Sequence, residues 1–141
     1  ISRLRRGWYC FDKKELDEYG LAGLFYQPSY LSMESALYYY GLIPDIPLSV
    51  TSITTTTTKK INTDVGRFDY YKITADLYWG FKSVNSKNVS FNLAFKEKAL
   101  LDYFYLRKSK QGDLRLDKSK LDKKIYGQYA KAYPAWVGKL L

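Results

Sequence analysis

Val89, Phe91, Leu93 and Phe95 alternate with Ser90, Asn92 and Ala94, and directly afterwards the apolar period lengthens: Ala99, Leu100, Tyr103 and Phe104 recur at helical spacing. Alternation puts one set of side chains on one face of a strand; a spacing of three to four residues puts the other on one face of a helix. The chain must therefore pack a helix, from about Lys96 to Arg107, against a sheet.

The remaining elements fit that architecture. Ser32 is a suitable N-cap, Glu34 and Ser35 fill a first turn, and Gly41 with Pro44 supplies a stop, so a helix is expected here with Met33, Ala36, Leu37 and Tyr40 on its core face. On that reading Tyr38, Tyr39 and Tyr40 are packing and exposed rim rather than a stacking platform. Leu48 to Lys60, with its threonine run 54–58, is β-branched and reads as a strand. Val50 and Ile53 fall on opposite faces, which requires either cover on both sides or a bulge. Asp64-Val65-Gly66 is a turn signal before a returning strand with Phe68 and Tyr70 on one face, a hairpin. Leu77, Trp79 and Phe81 alternate as a further strand, and Ser83 to Asn88 reads as the loop before Val89. A last helix is expected from near Asp117, with Leu121, Ile125 and Tyr129 one turn apart, ending at Tyr133-Pro134. The sum is an α+β fold: a mainly antiparallel sheet of four or five strands, covered on one side by helices.

A chain of 141 residues, 46% of them apolar, suits one domain that buries roughly 65–70% of its unfolded surface. It contains one cysteine, Cys10, and no histidine. An internal disulfide, a Cys-cluster zinc site, His-ligated metals, and Ser-His-Asp or Cys-His nucleophilic chemistry are all unavailable to such a chain. No apolar stretch approaches the roughly 20 residues that span a bilayer, and no secretory leader is evident, so a cytoplasmic address is expected.

The net charge of +9 is unevenly placed: residues 1–14 carry +4, residues 15–95 carry −2, and residues 96–141 carry +7. Segregation of this kind suits contact with nucleic acid or an acidic partner. The run Ile1 to Phe11 alternates as a strand with Arg3 and Arg5 on one face, able to grip phosphates; a charged sheet edge is the competing reading. Lys118, Lys120, Lys123 and Lys124 suggest a basic helix face, which is either a contact surface or simple solvation.

Catalytic constellations are missing. There is no Gly-x-x-x-x-Gly-Lys loop, no Gly-x-Gly-x-x-Gly and no strand-borne Asp-x-Asp. Asp12, Glu15, Asp17 and Glu18 lie among lysines and read as surface, and Glu97 and Asp102 are five apart and share no helix face. The expectation is a chain without enzymatic activity, cofactor or metal.

The segment Pro28 to Pro44 (PSYLSMESALYYYGLIP) closely resembles the AbiEi-type antitoxin family of abortive-infection toxin–antitoxin systems. The same order of motifs follows: a threonine-rich strand, here Val50 to Thr55; a Gly-x-Phe-x-Tyr hairpin, here Gly66 to Tyr70; and a Glu-Lys-Ala-Leu-Leu-Asp helix, here Glu97 to Asp102, continuing to Tyr105-Leu106-Arg107. The resemblance spans roughly residues 1–130. It implies an antitoxin domain over residues 12–141 that counteracts a nucleotidyltransferase-like toxin, directly or functionally. It also implies that residues 1–11 are the last strand of an N-terminal winged helix whose DNA-reading helices are not in this chain, so that promoter DNA is a partner of a longer protein. Arg3, Arg5 and Arg6 are then candidates for phosphate contact, and Lys118, Lys120, Lys123 and Lys124 for a basic contact surface. The bacterial antitoxin and transcriptional autoregulator is the leading expectation. A nucleic-acid-binding module without antitoxin role is the alternative, and an enzyme that modifies the toxin ranks last; no membrane or small-molecule partner is expected.

Overall fold

The computed structural model describes residues 2–5, 8–10, 17–86, 89–108 and 114–141, the first two stretches as backbone only. Near the N-terminus a small antiparallel hairpin pairs β1 (Ser2–Arg5) with β2 (Trp8–Cys10), and its register breaks between Arg3 and Arg5. The run expected as one strand is thus two.

The main sheet contains β3 (Ser29–Leu31), β4 (Val50–Thr54), β5 (Lys59–Thr63), β6 (Gly66–Lys72), β7 (Phe81–Ser86) and β8 (Val89–Ala94), in the order β5-β6-β4-β3-β8-β7. The fold is α+β. The sheet has six strands rather than four or five and is mixed: β5–β6, β3–β4 and β7–β8 are antiparallel, whereas β4–β6 and β3–β8 are parallel. Each parallel pair is bridged by intervening chain long enough to cross over, which a simple succession of hairpins would not need.

Helices cover both faces, not one. On one face α1 (Glu18–Phe25) packs across β8, β3 and β4 and reaches β6 through side chains, with Phe25 edge-on to Phe68 and the Tyr70 hydroxyl donating to the Ala22 carbonyl at 2.6 Å. Asp17 caps α1 by accepting from the Tyr19 amide at 3.0 Å. On the other face lie α2 (Met33–Tyr39) and α3 (Lys96–Arg107). The Thr51 hydroxyl donates to the Ser32 carbonyl at 2.7 Å and ties α2 to β4. Being sandwiched in this way, β4 is buried along its whole length, which resolves the out-of-phase Val50 and Ile53 without a bulge.

Gly41 stops α2 with φ +76°, and the Leu42 amide donates back to the Leu37 carbonyl at 2.9 Å, satisfying the helix end. The β5–β6 hairpin turns at Asp64-Val65 as expected, and Phe68 and Tyr70 are fully buried. Three expectations fail. Leu48 to Lys60, expected as one strand, is broken at residues 55–58, between the end of β4 and the start of β5. Leu77 belongs to a 3₁₀ turn, Ala75–Leu77, in which the Trp79 indole donates to the Asp76 carbonyl, so the strand starts only at Phe81. Ser83 to Ser86, expected as loop, continue that strand. The last expected helix is also divided: Asp117 caps a 3₁₀ turn, Lys118–Lys120, and Asp122 caps α4 (Lys123–Ala130), after which α5 (Ala135–Gly138) follows Pro134. No helix among the described residues is long and apolar enough to cross a membrane.

Candidate functional site

Among the described residues three carboxylates lie inside the fold, Asp69, Glu97 and Asp102, and two of them sit in contrasting settings. The first is Asp102 on α3, paired with Lys98 one helical turn earlier at 2.6 Å, both side chains wholly inaccessible. Asp102 Oδ1 also accepts from the Tyr133 hydroxyl, and Oδ2 accepts from the Tyr30 and Ser32 hydroxyls at 2.8 Å each. Lys98 Nζ further donates to Tyr30 Oη at 3.1 Å and to Tyr133 Oη, and lies 5.0 Å from the Trp79 ring centroid. Burial lowers the Lys98 pKa, against the opposing pull of Asp102. Burial and then the Asp102 charge push the Tyr30 and Tyr133 hydroxyls well above their ordinary value.

This node joins β3, the start of α2, α3 and the C-terminal segment. Every oxygen of Asp102 is filled from within the chain, so it is a structural clamp. Gly80, at φ +79°, makes room for it: a Cβ there would lie 2.8 Å from Lys98 Cγ. Glu97 serves a separate junction, accepting from the Asp122 amide at 3.0 Å and anchoring the start of α4. Ser32 occupies the N-cap position of α2, but its hydroxyl goes to Asp102 instead of capping.

The second carboxylate, Asp69 on β6, is only 3% exposed and lies on the α2–α3 face of the sheet, toward its β5 edge. Its Oδ2 accepts from the Ser49 hydroxyl at 2.7 Å and is 3.4 Å from Arg67 Nε. Its Oδ1 has no hydrogen-bond partner, one of two such buried side-chain atoms among the described residues, the other being the Tyr126 hydroxyl. Asp69 contributes to the wall of an open groove of about 410 Å³, together with Lys60, Arg67, Tyr71, Arg107, Glu34 and Leu48. Arg107 donates in a fork to Glu34 at 3.0 and 3.1 Å, and its guanidinium covers the Tyr71 ring at 4.8 Å.

The segment after Pro44 overhangs this groove. Leu48 is 94% exposed and Ile46 75%, unusual for large aliphatic side chains on a chain with an ample core. A second groove of about 540 Å³ adjoins the same segment and carries Asp17, Glu18, Tyr38 and Arg67. The result is an apolar ridge between two charged depressions.

The residues singled out by sequence are placed as follows. Arg3 and Arg5 are on β1, their side chains outside the described structure, and Arg6 lies outside the described residues altogether, as do Asp12 and Glu15. Lys118 and Lys120 are exposed in the 3₁₀ turn; Lys120 Nζ donates to the Gly41 carbonyl at 3.0 Å and straps the turn to the end of α2. Lys123 and Lys124 are exposed in the first turn of α4. The four lysines therefore occupy two consecutive turns rather than one helix face. Sequence reasoning missed both carboxylate sites. The i, i+4 spacing of Lys98 and Asp102 was a usable signal; Asp69 gave none beyond its place in the Gly66–Tyr70 hairpin.

No protein-family model and no curated protein matches this chain. Fold and surface define the class: an α+β domain with an exposed ridge-and-groove face.

Proposed function

We propose that this chain is the antitoxin domain of an AbiEi-type toxin–antitoxin system and neutralises a nucleotidyltransferase-like toxin in the bacterial cytoplasm by contact, without chemistry of its own. The order of motifs from Pro28 to Arg107 supports the family. The observation that carries contact is the Ile46–Leu48 ridge beside an Asp69 oxygen that no group among the described residues satisfies.

A buried acceptor left open costs about 1–3 kcal/mol unless something arrives to donate to it. Lys60 and Arg67 on the groove wall repel a cationic donor, so a backbone or side-chain amide N–H flanked by acidic residues fits best. Leu48 and Ile46 would bury apolar area on the same partner. If the resemblance extends to an N-terminal winged helix, Arg3, Arg5 and Arg6 with the exposed Lys118, Lys123 and Lys124 would add phosphate contacts for promoter binding and autoregulation.

The test is to look for a nucleotidyltransferase reading frame beside this gene and to co-express the two; absence of such a frame would count against the reading. The full-length protein is expected to restore growth, and a variant carrying Ile46→Asp and Leu48→Asp to lose that protection while folding normally. Absence of protection by the full-length protein would overturn the antitoxin reading; intact protection by the double variant would overturn the ridge.

A further inference from the structure

A third surface serves neither of those roles. Trp136, on the short α5, is 43% exposed and stacks on Tyr105 of α3 with ring planes 25° apart and centroids separated by 6.3 Å. Tyr105 is held from behind by the edge of Tyr133 at 5.7 Å, and Tyr133 is fixed by its hydroxyl in the Lys98–Asp102 node. The buried clamp therefore makes the aromatic pair a rigid platform.

The platform borders an open groove of about 350 Å³ lined by Lys72, Ile73, Thr74, Tyr105, Leu106, Lys108 and Trp136, which includes two exposed cations and no carboxylate. Lys108 ends α3 at φ +52°, a left-handed conformation in which a side chain is disfavoured and glycine is usual.

We infer that the Tyr105–Trp136 platform with Lys72 and Lys108 is a binding site for single-stranded nucleic acid, a base stacking on Trp136 and the phosphates lying along the lysines. The chemistry needs both parts: a π-face accepts any base without reading it, and flanking cations hold the backbone. A duplex hides its base faces, so the site discriminates against paired strands. The inference does not depend on the antitoxin reading, since Ile46, Leu48 and Asp69 take no part.

The experiment is fluorescence anisotropy of the purified chain with labelled 12-mers of uridylate and of thymidylate, and with a 12-base-pair duplex, at several salt concentrations. At least one single strand is expected to bind, more tightly than the duplex, and whichever of the two binds better identifies the natural source as RNA or DNA. Trp136→Ala is expected to weaken binding about tenfold, and Trp136→Phe to retain most of it. The double variant Lys72→Gln, Lys108→Gln, which touches no core residue, is expected to lower the salt slope by about 1.4 and carries the test should Trp136→Ala not fold. Failure of both strands to bind at low salt, equal or tighter binding of the duplex, or an unchanged affinity in the folded Trp136→Ala or lysine variant would each overturn the site.

Discussion

Asp102 and Asp69 are both nearly inaccessible carboxylates, yet one accepts four hydrogen bonds from its own chain and the other leaves an oxygen open. The comparison separates two uses of a buried charge. Where every lone pair is filled internally, the group fixes the fold and has nothing to offer a partner. Where one is left unfilled among the described residues, buried behind the wall of an exposed groove, folding has not used it, and a partner's donor reaches it once that wall shifts.

The largest effect that would break this contrast is at the clamp. Lys98→Ala or Asp102→Ala is expected to destabilise the chain by about 3–5 kcal/mol, because each strands the opposite charge in the interior. Replacing both, Lys98→Met with Asp102→Leu, is expected to cost less than either single change. Urea unfolding measures this, and a loss below about 1 kcal/mol for the singles would make the node incidental.

Alkaline pH attacks the same region. Burial raises the hydroxyls of Tyr30 and Tyr133, and those of Tyr40 and Tyr126 to about 12, all from 10.0. The unfolded chain thus releases these protons first, and stability is expected to fall as pH rises from about 10 toward 12. Lys98, lowered from 10.5, acts in the opposite sense below that value, so the loss steepens above it. The thermal midpoint should be lower at pH 11 than at pH 9, and Tyr133→Phe should flatten the decline.

Smaller changes sharpen the comparison. Gly80→Ala places a Cβ against Lys98 at a positive φ and is expected to cost about 1–2 kcal/mol. Tyr126→Phe removes the other unpartnered buried atom and is expected to raise stability by about 1 kcal/mol, whereas Tyr133→Phe, losing real partners, lowers it.

Local pattern made much of this fold readable. The helix from Lys96 to Arg107 was legible from its apolar period and the turn at Gly66 from its glycine. Sheet order was not: β3 has only three residues, too few to show an alternation, and it is the strand that joins the two halves. The threonine run concealed the break between β4 and β5, since it contains neither glycine nor proline to mark a turn. Leu77, Trp79 and Phe81 alternate by coincidence, with a 3₁₀ turn setting the first. Of the sites, Lys98–Asp102 could be read from spacing, whereas the Asp69 groove is assembled by parallel pairing and a distant arginine, which no local pattern encodes.

The central claim is that Asp69 is kept for a partner. The most direct measurement is Asp69→Asn, followed both by urea unfolding and by growth of cells co-expressing the nucleotidyltransferase-like toxin that the proposed function assigns as partner. The account predicts unchanged or slightly higher stability together with lost protection. A stable Asp69→Asn variant that protects as well as the parent would contradict it.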